Sequence, residues 1–341
     1  MDLQEFLKEW HNGSPTVMVH TSGSTGKPKP MYVEKRRMEA SARITCSFLG
    51  LQPGDTALLC LPMDYIAGKM MAVRSVVWSL QTVCLEPSNH PFEASKWVDS
   101  NIHVDLAALV PSQVWCSLQV PDECERLRAV RHLLIGGGAI DDAMADALAD
   151  FPNCVWSTYG MTETLSHIAL RRLNGPDRSD WYTPFDGVTV SLNADGCLVI
   201  NAPAVHDGPL VTNDIAELRH PLPSERAGGE VFRILGRKDN VICSGGIKIQ
   251  MEDVERLLKP HAHVPFIITK VPDPCLGEAL VLLTTSTDLD ALRHICTVVL
   301  PRYWRPRHFH TVPTLPITPT GKPARQDAAQ LALSLLKETV I

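Results

Sequence analysis

The stretch HTSGSTGKPKP, His20 to Pro30, gathers two serines, two threonines, two glycines and two lysines and holds nothing apolar enough to bury. Before it, TVMVH (Thr16 to His20) reads as a short β-strand. After it, EKRRMEASARITCSFLG (34–50) sets Met38, Ala42, Thr45 and Leu49 on one helical face. A polar, glycine-rich loop between strand and helix is a common way to surround phosphate oxygens with amides, hydroxyls and ammonium groups. The usual fingerprints do not fit. Thr21 stands where the first glycine of G-x-x-x-x-G-K-[ST] belongs, Pro28 follows Lys27, and the stretch has no G-x-G-x-x-G. Alone, it reads either as a phosphate loop or as a flexible loop that carries lysines.

The rest of the chain narrows the choice. Its 341 residues suffice for a full core and two domains, and 45% apolar with 21% charged residues is ordinary for a globular protein. A net charge of −6 gives no support to a nucleic-acid partner or an anionic membrane surface. The opening MDLQEFLKEWHNGS lacks the basic-then-apolar pattern of a signal peptide, and no apolar run reaches the length of a membrane span, so a cytoplasmic protein is expected. Ten cysteines, scattered without CxxC or Cys/His clustering, argue against a zinc site and read as reduced, mostly buried thiols. Repeats and low-complexity tracts are absent.

From residue 15 to about 160 the pattern alternates. Candidate strands are TVMV (16–19), TALLCL (56–61), TVCLE (82–86), DLAALV (105–110), HLLI (132–135) and CVWST (154–158). Stretches of helical period such as AGKMMAVRSVVWSL (67–80) and AIDDAMADALADF (139–151) lie between them. That predicts an α/β fold with a largely parallel sheet and ligands at the loops beyond the carboxyl ends of its strands. From 186 the texture is β-rich, with a hairpin turning at Asp195-Gly196. A second α/β pattern follows Gly236. The expected organisation is a large N-terminal domain (1–236), a short charged hinge (237–240) and a small, mobile C-terminal α+β domain (241–341).

Five further stretches follow the opening loop in order: IGGGAI (135–140), STYGMTET (157–164), TND (212–214), GRKDNVICSGGIKIQMEDVE (236–255) and PTGK (319–322). Each alone could be a tight turn or an exposed loop. Together, from about residue 15 to 325, they resemble the adenylate-forming superfamily of acyl- and aryl-CoA synthetases, luciferases and peptide-synthetase adenylation domains. STYGMTET is the most specific element. The resemblance implies an AMP-forming ligase that uses ATP, magnesium and coenzyme A. It activates a carboxylate as an acyl-adenylate and passes the acyl group to a thiol. It also implies roles. Thr21, Ser22, Gly23, Ser24, Thr25, Gly26 and Lys27 would hold the β- and γ-phosphates. Gly136, Gly137 and Gly138 would pass under the adenine, and Tyr159 beside Gly160 would stack on it. Asp214 and Arg237 would hold the ribose, Thr162 the α-phosphate and Glu163 the magnesium ion. Lys322 resembles the mobile catalytic lysine, Asp239 the hinge residue, and Ser244, Gly245 and Gly246 the lining of the pantetheine path.

Within the superfamily the texture is closest to the o-succinylbenzoate–CoA ligases of menaquinone synthesis. LPMDYIAGKMMAVR (61–74) resembles a stretch that helps form the acyl pocket, with Tyr65 where relatives often have histidine. A dicarboxylate needs a cation for the carboxylate that does not react, and Arg74 or Lys69 could supply it. Arg74 reads equally as a solvated helix residue. Ser166 and His167 would line the same pocket, or His167 is a satisfied structural histidine. Only nineteen residues precede His20, far fewer than in most of the superfamily. A trimmed fold, a partner subunit or a homodimer over the exposed face would account for this. Two alternatives stand beside a small-molecule ligase: an aryl-acid adenylating enzyme that loads a carrier protein, and a non-catalytic AMP/ATP sensor.

Overall fold

The computed structural model describes residues 1–20, 30–97, 102–221, 229–318 and 322–338. Helix α1 (Leu3–His11) opens on a capping box: the Glu5 amide donates to the Asp2 carboxylate at 2.8 Å, and the Asp2 amide donates to the Glu5 carboxylate at 3.0 Å. Phe6 and Trp10, four residues apart, bury its inner face. Strand β1 (Thr16–His20) pairs antiparallel with β2 (Pro30–Glu34). This corrects one expectation: the glycine-rich stretch joins two strands of a separate two-stranded sheet, not a main-sheet strand to a helix. Only Val33 of β2 is buried, so the strand shows no readable alternation. Helix α2 (Lys35–Phe48) follows, with Met38, Ala42 and Thr45 fully buried on the expected face.

The main sheet has seven strands. Five are parallel, in the order β4 (Gln81–Cys84), β3 (Thr56–Leu59), β5 (Leu106–Leu109), β6 (His132–Ile135), β7 (Cys154–Gly160). Strands β8 (His167–Arg172) and β9 (Thr183–Pro184) extend it antiparallel. Helix α3 (Ile66–Trp78) connects β3 to β4, α4 (Pro111–Leu118) and α5 (Pro121–Ala129) connect β5 to β6, and α6 (Asp142–Leu148) connects β6 to β7. The period-two pattern sorts side chains between two layers. Ala57, Leu59 and Leu106 pack with Met38 of α2 and Met70 and Val73 of α3. Leu58, Ala107 and Leu133 pack with Val114, Leu127 and Leu148 on the opposite face.

A four-stranded antiparallel sheet follows, β10 (Thr189–Leu192), β11 (Cys197–Asn201), β12 (Leu210–Arg219) and β13 (Val231–Arg237). Its first hairpin turns at Gly196, whose φ of +76° suits glycine. The third sheet takes β14 (Val241–Ser244), β15 (Ile247–Gln250), β16 (Phe266–Asp273), β17 (Gly277–Thr284) and, parallel to β17, β18 (His308–Thr311). Helices α7 (Met251–Leu258) and α8 (Leu289–Val299) cover one face, α9 (Arg325–Glu338) the other. The fold is therefore the mixed α/β architecture that the sequence predicts. Among the described residues no helix is long and apolar enough to cross a membrane.

Candidate active site

The chain leaves β7 through a turn that tolerates little variation. A Cβ on Gly160 would lie 2.2 Å from the Ser166 carbonyl oxygen and 2.5 Å from the His167 Cα, both backbone atoms. Beyond it, Thr162–Thr164 form one 3₁₀ turn, and Leu165, 3% exposed, is held at φ +64°. A non-glycine residue in that region stores strain, a recurrent feature of functional turns. Thr164 Oγ1 anchors the turn, accepting the Met161 amide at 3.0 Å and lying 2.8 Å from the Ser166 carbonyl. As a result Thr162 is buried while the Glu163 carboxylate stands in solvent, with no partner among the described residues.

Three motifs far apart in sequence meet beside this turn. Asp214 receives the Tyr159 hydroxyl at 2.6 Å and Arg237 Nη1 at 3.1 Å, one on each carboxylate oxygen. The pairing of β12 with β13 sets Asp214 opposite Arg237, and the Thr212 hydroxyl accepts the Asp214 amide at 3.1 Å. Arg237 also grips Asp239 with two bonds, at 3.0 and 2.9 Å, tying the expected hinge to the same cluster. Burial, and then the neighbouring Asp214 charge, push the Tyr159 phenol far above its usual pKa, so it is a hydrogen-bond donor here. Its ring packs edge-on against Phe232, with centroids 5.0 Å apart. Lys322 lies within electrostatic reach of this cluster. Burial and then Arg237 lower its pKa, while Asp214 raises it. Thr318 and Lys322 are tied to each other, the Thr318 amide donating to the Lys322 carbonyl (2.7 Å) and the Lys322 amide to the Thr318 hydroxyl (3.1 Å).

Glycines 136–138 follow β6. A Cβ on Gly136 would lie 2.3 Å from Thr158 Oγ1, and Gly137 has φ +77°, so backbone packing as well as any ligand demands small residues there. In the third sheet Ser244 is buried, and Gly245 and Gly246, at φ +58° and +81°, form the two-residue turn between β14 and β15. A Cβ on Gly246 meets nothing within 4 Å, so a large residue there strains the turn before it touches anything. Thr21, Ser22, Gly23, Ser24, Thr25, Gly26 and Lys27 lie outside the described residues.

The candidate acyl residues divide. Lys69 is 2% exposed, donates to the Met18 carbonyl at 2.5 Å and stands over the Phe6 ring, which ties α3 to β1 and α1. Tyr65 stands at the N-terminal boundary of α3, with no capping bond from its side chain, and its backbone bridges to His20. Arg74 is also 2% exposed, so it is no solvated residue. Its Nη2 donates to Ser166 Oγ at 2.6 Å and its Nη1 to Met71 Sδ at 3.5 Å, and its Nε has no hydrogen-bond partner. No carboxylate pairs with it among the described residues. Burial lowers its pKa to about 10, which leaves it charged near neutrality. His167 is buried between Ser166 and Thr45. Arg74, Ser166 and His167 are thus brought together, while Lys69 is turned elsewhere. Reading the sequence alone missed Thr45, which is indistinguishable from core on its helical face, and gave Thr212 no role of its own within TND.

The donor set suits magnesium brought in with a nucleotide. Such an ion takes one or two protein carboxylates together with phosphate oxygens, and Glu163 is free for it, whereas no cluster of three or more ligating side chains occurs among the described residues. Fold and site together define an AMP-forming acid–CoA ligase, a class that uses ATP, magnesium and coenzyme A. The AMP-binding enzyme family matches residues 4–199, and the chain belongs to it. It is 27% identical over 347 residues to the 2-succinylbenzoate–CoA ligase of Geobacillus kaustophilus (strain HTA426), covering 92% of this chain and 69% of that protein. Among solved structures, it is similar to an acyl-CoA synthetase (AMP-forming)/AMP-acid ligase II-like protein from Dyadobacter fermentans DSM 18053. That match has 31% identity and a TM-score of 0.62, and covers 96% of this chain and 92% of that one. The fold is also that of the o-succinylbenzoate coenzyme A synthetase of Bacillus subtilis, solved with ATP and magnesium ion, at 22% identity, TM-score 0.72 and coverage of 91% and 69%.

Proposed function

We propose that this ligase joins an aromatic dicarboxylic acid, o-succinylbenzoate, to coenzyme A in the cytoplasm, as a step of menaquinone biosynthesis. The observation that carries the reading is Arg74, a buried guanidinium beside the turn that follows β7, with no carboxylate partner among the described residues. An uncompensated buried cation costs several kcal/mol unless a ligand supplies the anion. A substrate whose second carboxylate does not react is such a ligand.

On this reading the reacting carboxylate attacks the α-phosphorus as the bond to pyrophosphate breaks. Lys322 faces the developing charge, and the Thr162 hydroxyl donates to an α-phosphate oxygen. Each Asp214 oxygen carries one bond in the structure and keeps a lone pair for a ribose hydroxyl, with Arg237 and Tyr159 fixing its plane. Ser22, Ser24, Thr25 and Lys27 hold the departing pyrophosphate, and Gly136 to Gly138 border the adenine. Magnesium, held by Glu163, would supply charge neutralisation on the triphosphate. Residues 237–240 would serve as the hinge between units 1–236 and 241–341, bringing Ser244 to Gly246 to the thiol's path. The test is exchange of labelled pyrophosphate into ATP across a panel of acids. Exchange stimulated by o-succinylbenzoate well above benzoate is expected, whereas equal stimulation by both would remove the dicarboxylate from the reading.

A further inference from the structure

Behind Arg74 runs a chain of hydrogen bonds in which one assignment of the protons satisfies every member. Thr45 Oγ1 donates to the Ser41 carbonyl at 3.1 Å, so its single hydrogen is used. In that assignment it accepts from His167 Nε2, 3.0 Å away, and the imidazole carries its hydrogen on Nε2. His167 Nδ1 is therefore a lone pair. It accepts from Ser166 Oγ at 3.3 Å, and that leaves the lone pairs of Ser166 Oγ for Arg74 Nη2 at 2.6 Å. Burial, and then the adjacent Arg74, hold the imidazole well below its ordinary pKa, in keeping with a neutral ring.

We infer that Thr45 and His167 are positioning residues for acid selection: they hold the tautomer in which Ser166 spends its hydrogen on His167 and keeps both lone pairs for Arg74, and so aim the guanidinium at the substrate's second carboxylate. The inference rests on the proposed dicarboxylate reading. Its physical content is a dipole direction. In the observed arrangement the lone-pair edge of the imidazole and the oxygen of Ser166 both face a buried cation, and both stabilise it. If the tautomer reverses, His167 Nδ1–H donates to Ser166 and the positive end of that dipole faces Arg74. Ser166 then keeps one lone pair for Arg74 instead of two and its own hydrogen is free to turn, so the guanidinium is held less firmly. Thr45, on α2, is separated from Arg74 by two side chains, and no line of the sequence pattern distinguishes it from its buried neighbours Met38 and Ala42.

Thr45→Val keeps the shape and removes the acceptor; Thr45→Ser keeps the acceptor. Initial rates of coenzyme A thioester formation would be measured for the full-length enzyme and both variants with o-succinylbenzoate and with 4-oxo-4-phenylbutanoate, which keeps the chain carboxylate and lacks the ring one. For Thr45→Val the expected result is a KM for o-succinylbenzoate raised about tenfold, the scale of one lost hydrogen bond, with kcat little changed. The monocarboxylate KM should move by less than about twofold, and Thr45→Ser should restore the wild-type ratio. Imidazole ¹⁵N chemical shifts of wild type and Thr45→Val should show hydrogen on Nε2 in the first and its transfer to Nδ1 in the second. An equal rise of KM for both acids would reduce Thr45 to a packing residue, and an unchanged tautomer would overturn the inference. A parallel Arg74→Ala variant separates the levels. If it loses no preference for the dicarboxylate, the substrate reading fails. If it does lose that preference while Thr45→Val does not, only the positioning role fails.

Discussion

Removing the Lys322 ammonium should separate the two half-reactions. The side chain is half-buried near Asp214 and Arg237, and its pKa is drawn below the ordinary lysine value by burial and then by Arg237. Withdrawing one oriented donor from a developing oxyanion costs roughly 10²- to 10³-fold in rate, or about 2.7–4 kcal/mol. The Lys322→Ala enzyme should lose that much in adenylation, followed as single-turnover release of pyrophosphate from ATP and acid. Thioester formation from supplied acyl-adenylate and coenzyme A should stay near wild type, because the phosphorus–oxygen bond is already broken. A second signature comes from the pKa direction. The protonated lysine is the active form, so wild-type adenylation should persist at neutral pH and fall as pH rises through a value below the usual 10.5. The variant should lack that alkaline limb. Parallel loss of both half-reactions, or an alkaline limb that survives in Lys322→Ala, would refute the assigned role.

Three further predictions follow from the same geometry. Arg74→Met fills the site with an apolar side chain of similar length and removes the uncompensated charge. It should stabilise the free protein by about 1–4 kcal/mol in urea unfolding while selectively weakening dicarboxylate use. Gly160→Ala drives a Cβ into the Ser166 and His167 backbone and should cost about 1–3 kcal/mol or more of stability, with activity lost alongside, as read by thermal melting. His132 is 8% exposed and its Nδ1 has no partner. Burial first, then Arg131 and Arg172, lower its pKa to about 4. The fold thus prefers the neutral ring, and the unfolded chain binds more protons between pH 6.5 and 4. Stability from this group is present above pH 6.5 and lost as pH falls toward 4, up to about 3 kcal/mol in all. His132→Gln should flatten that part of the pH–stability curve.

The main sheet was legible because Leu58, Leu106 and Leu133 sit in short runs whose period of two sorts them between layers, bounded by helical stretches. Strand β2 was not, since five residues with one buried side chain carry no pattern. The motifs of the candidate site were readable one by one, but their meeting was not. Tyr159 reaches Asp214 across 55 positions of sequence, through strand pairings that no local window contains. The burial of Arg74 had a trace in the sequence, because IAGKMMAVRSVVW is apolar almost all round and such a helix belongs inside. Its lack of a carboxylate partner among the described residues is a property of three dimensions alone.

The most direct test of the central claim is product analysis after the enzyme is mixed with magnesium-ATP, coenzyme A and o-succinylbenzoate. Equal amounts of AMP, pyrophosphate and o-succinylbenzoyl-CoA should appear, and thioester should be far scarcer when the ring carboxylate is absent. Binding of ATP with no AMP formed on any acid would contradict the assignment of this chain as a ligase, and AMP formed equally well with the monocarboxylate would contradict the role of Arg74.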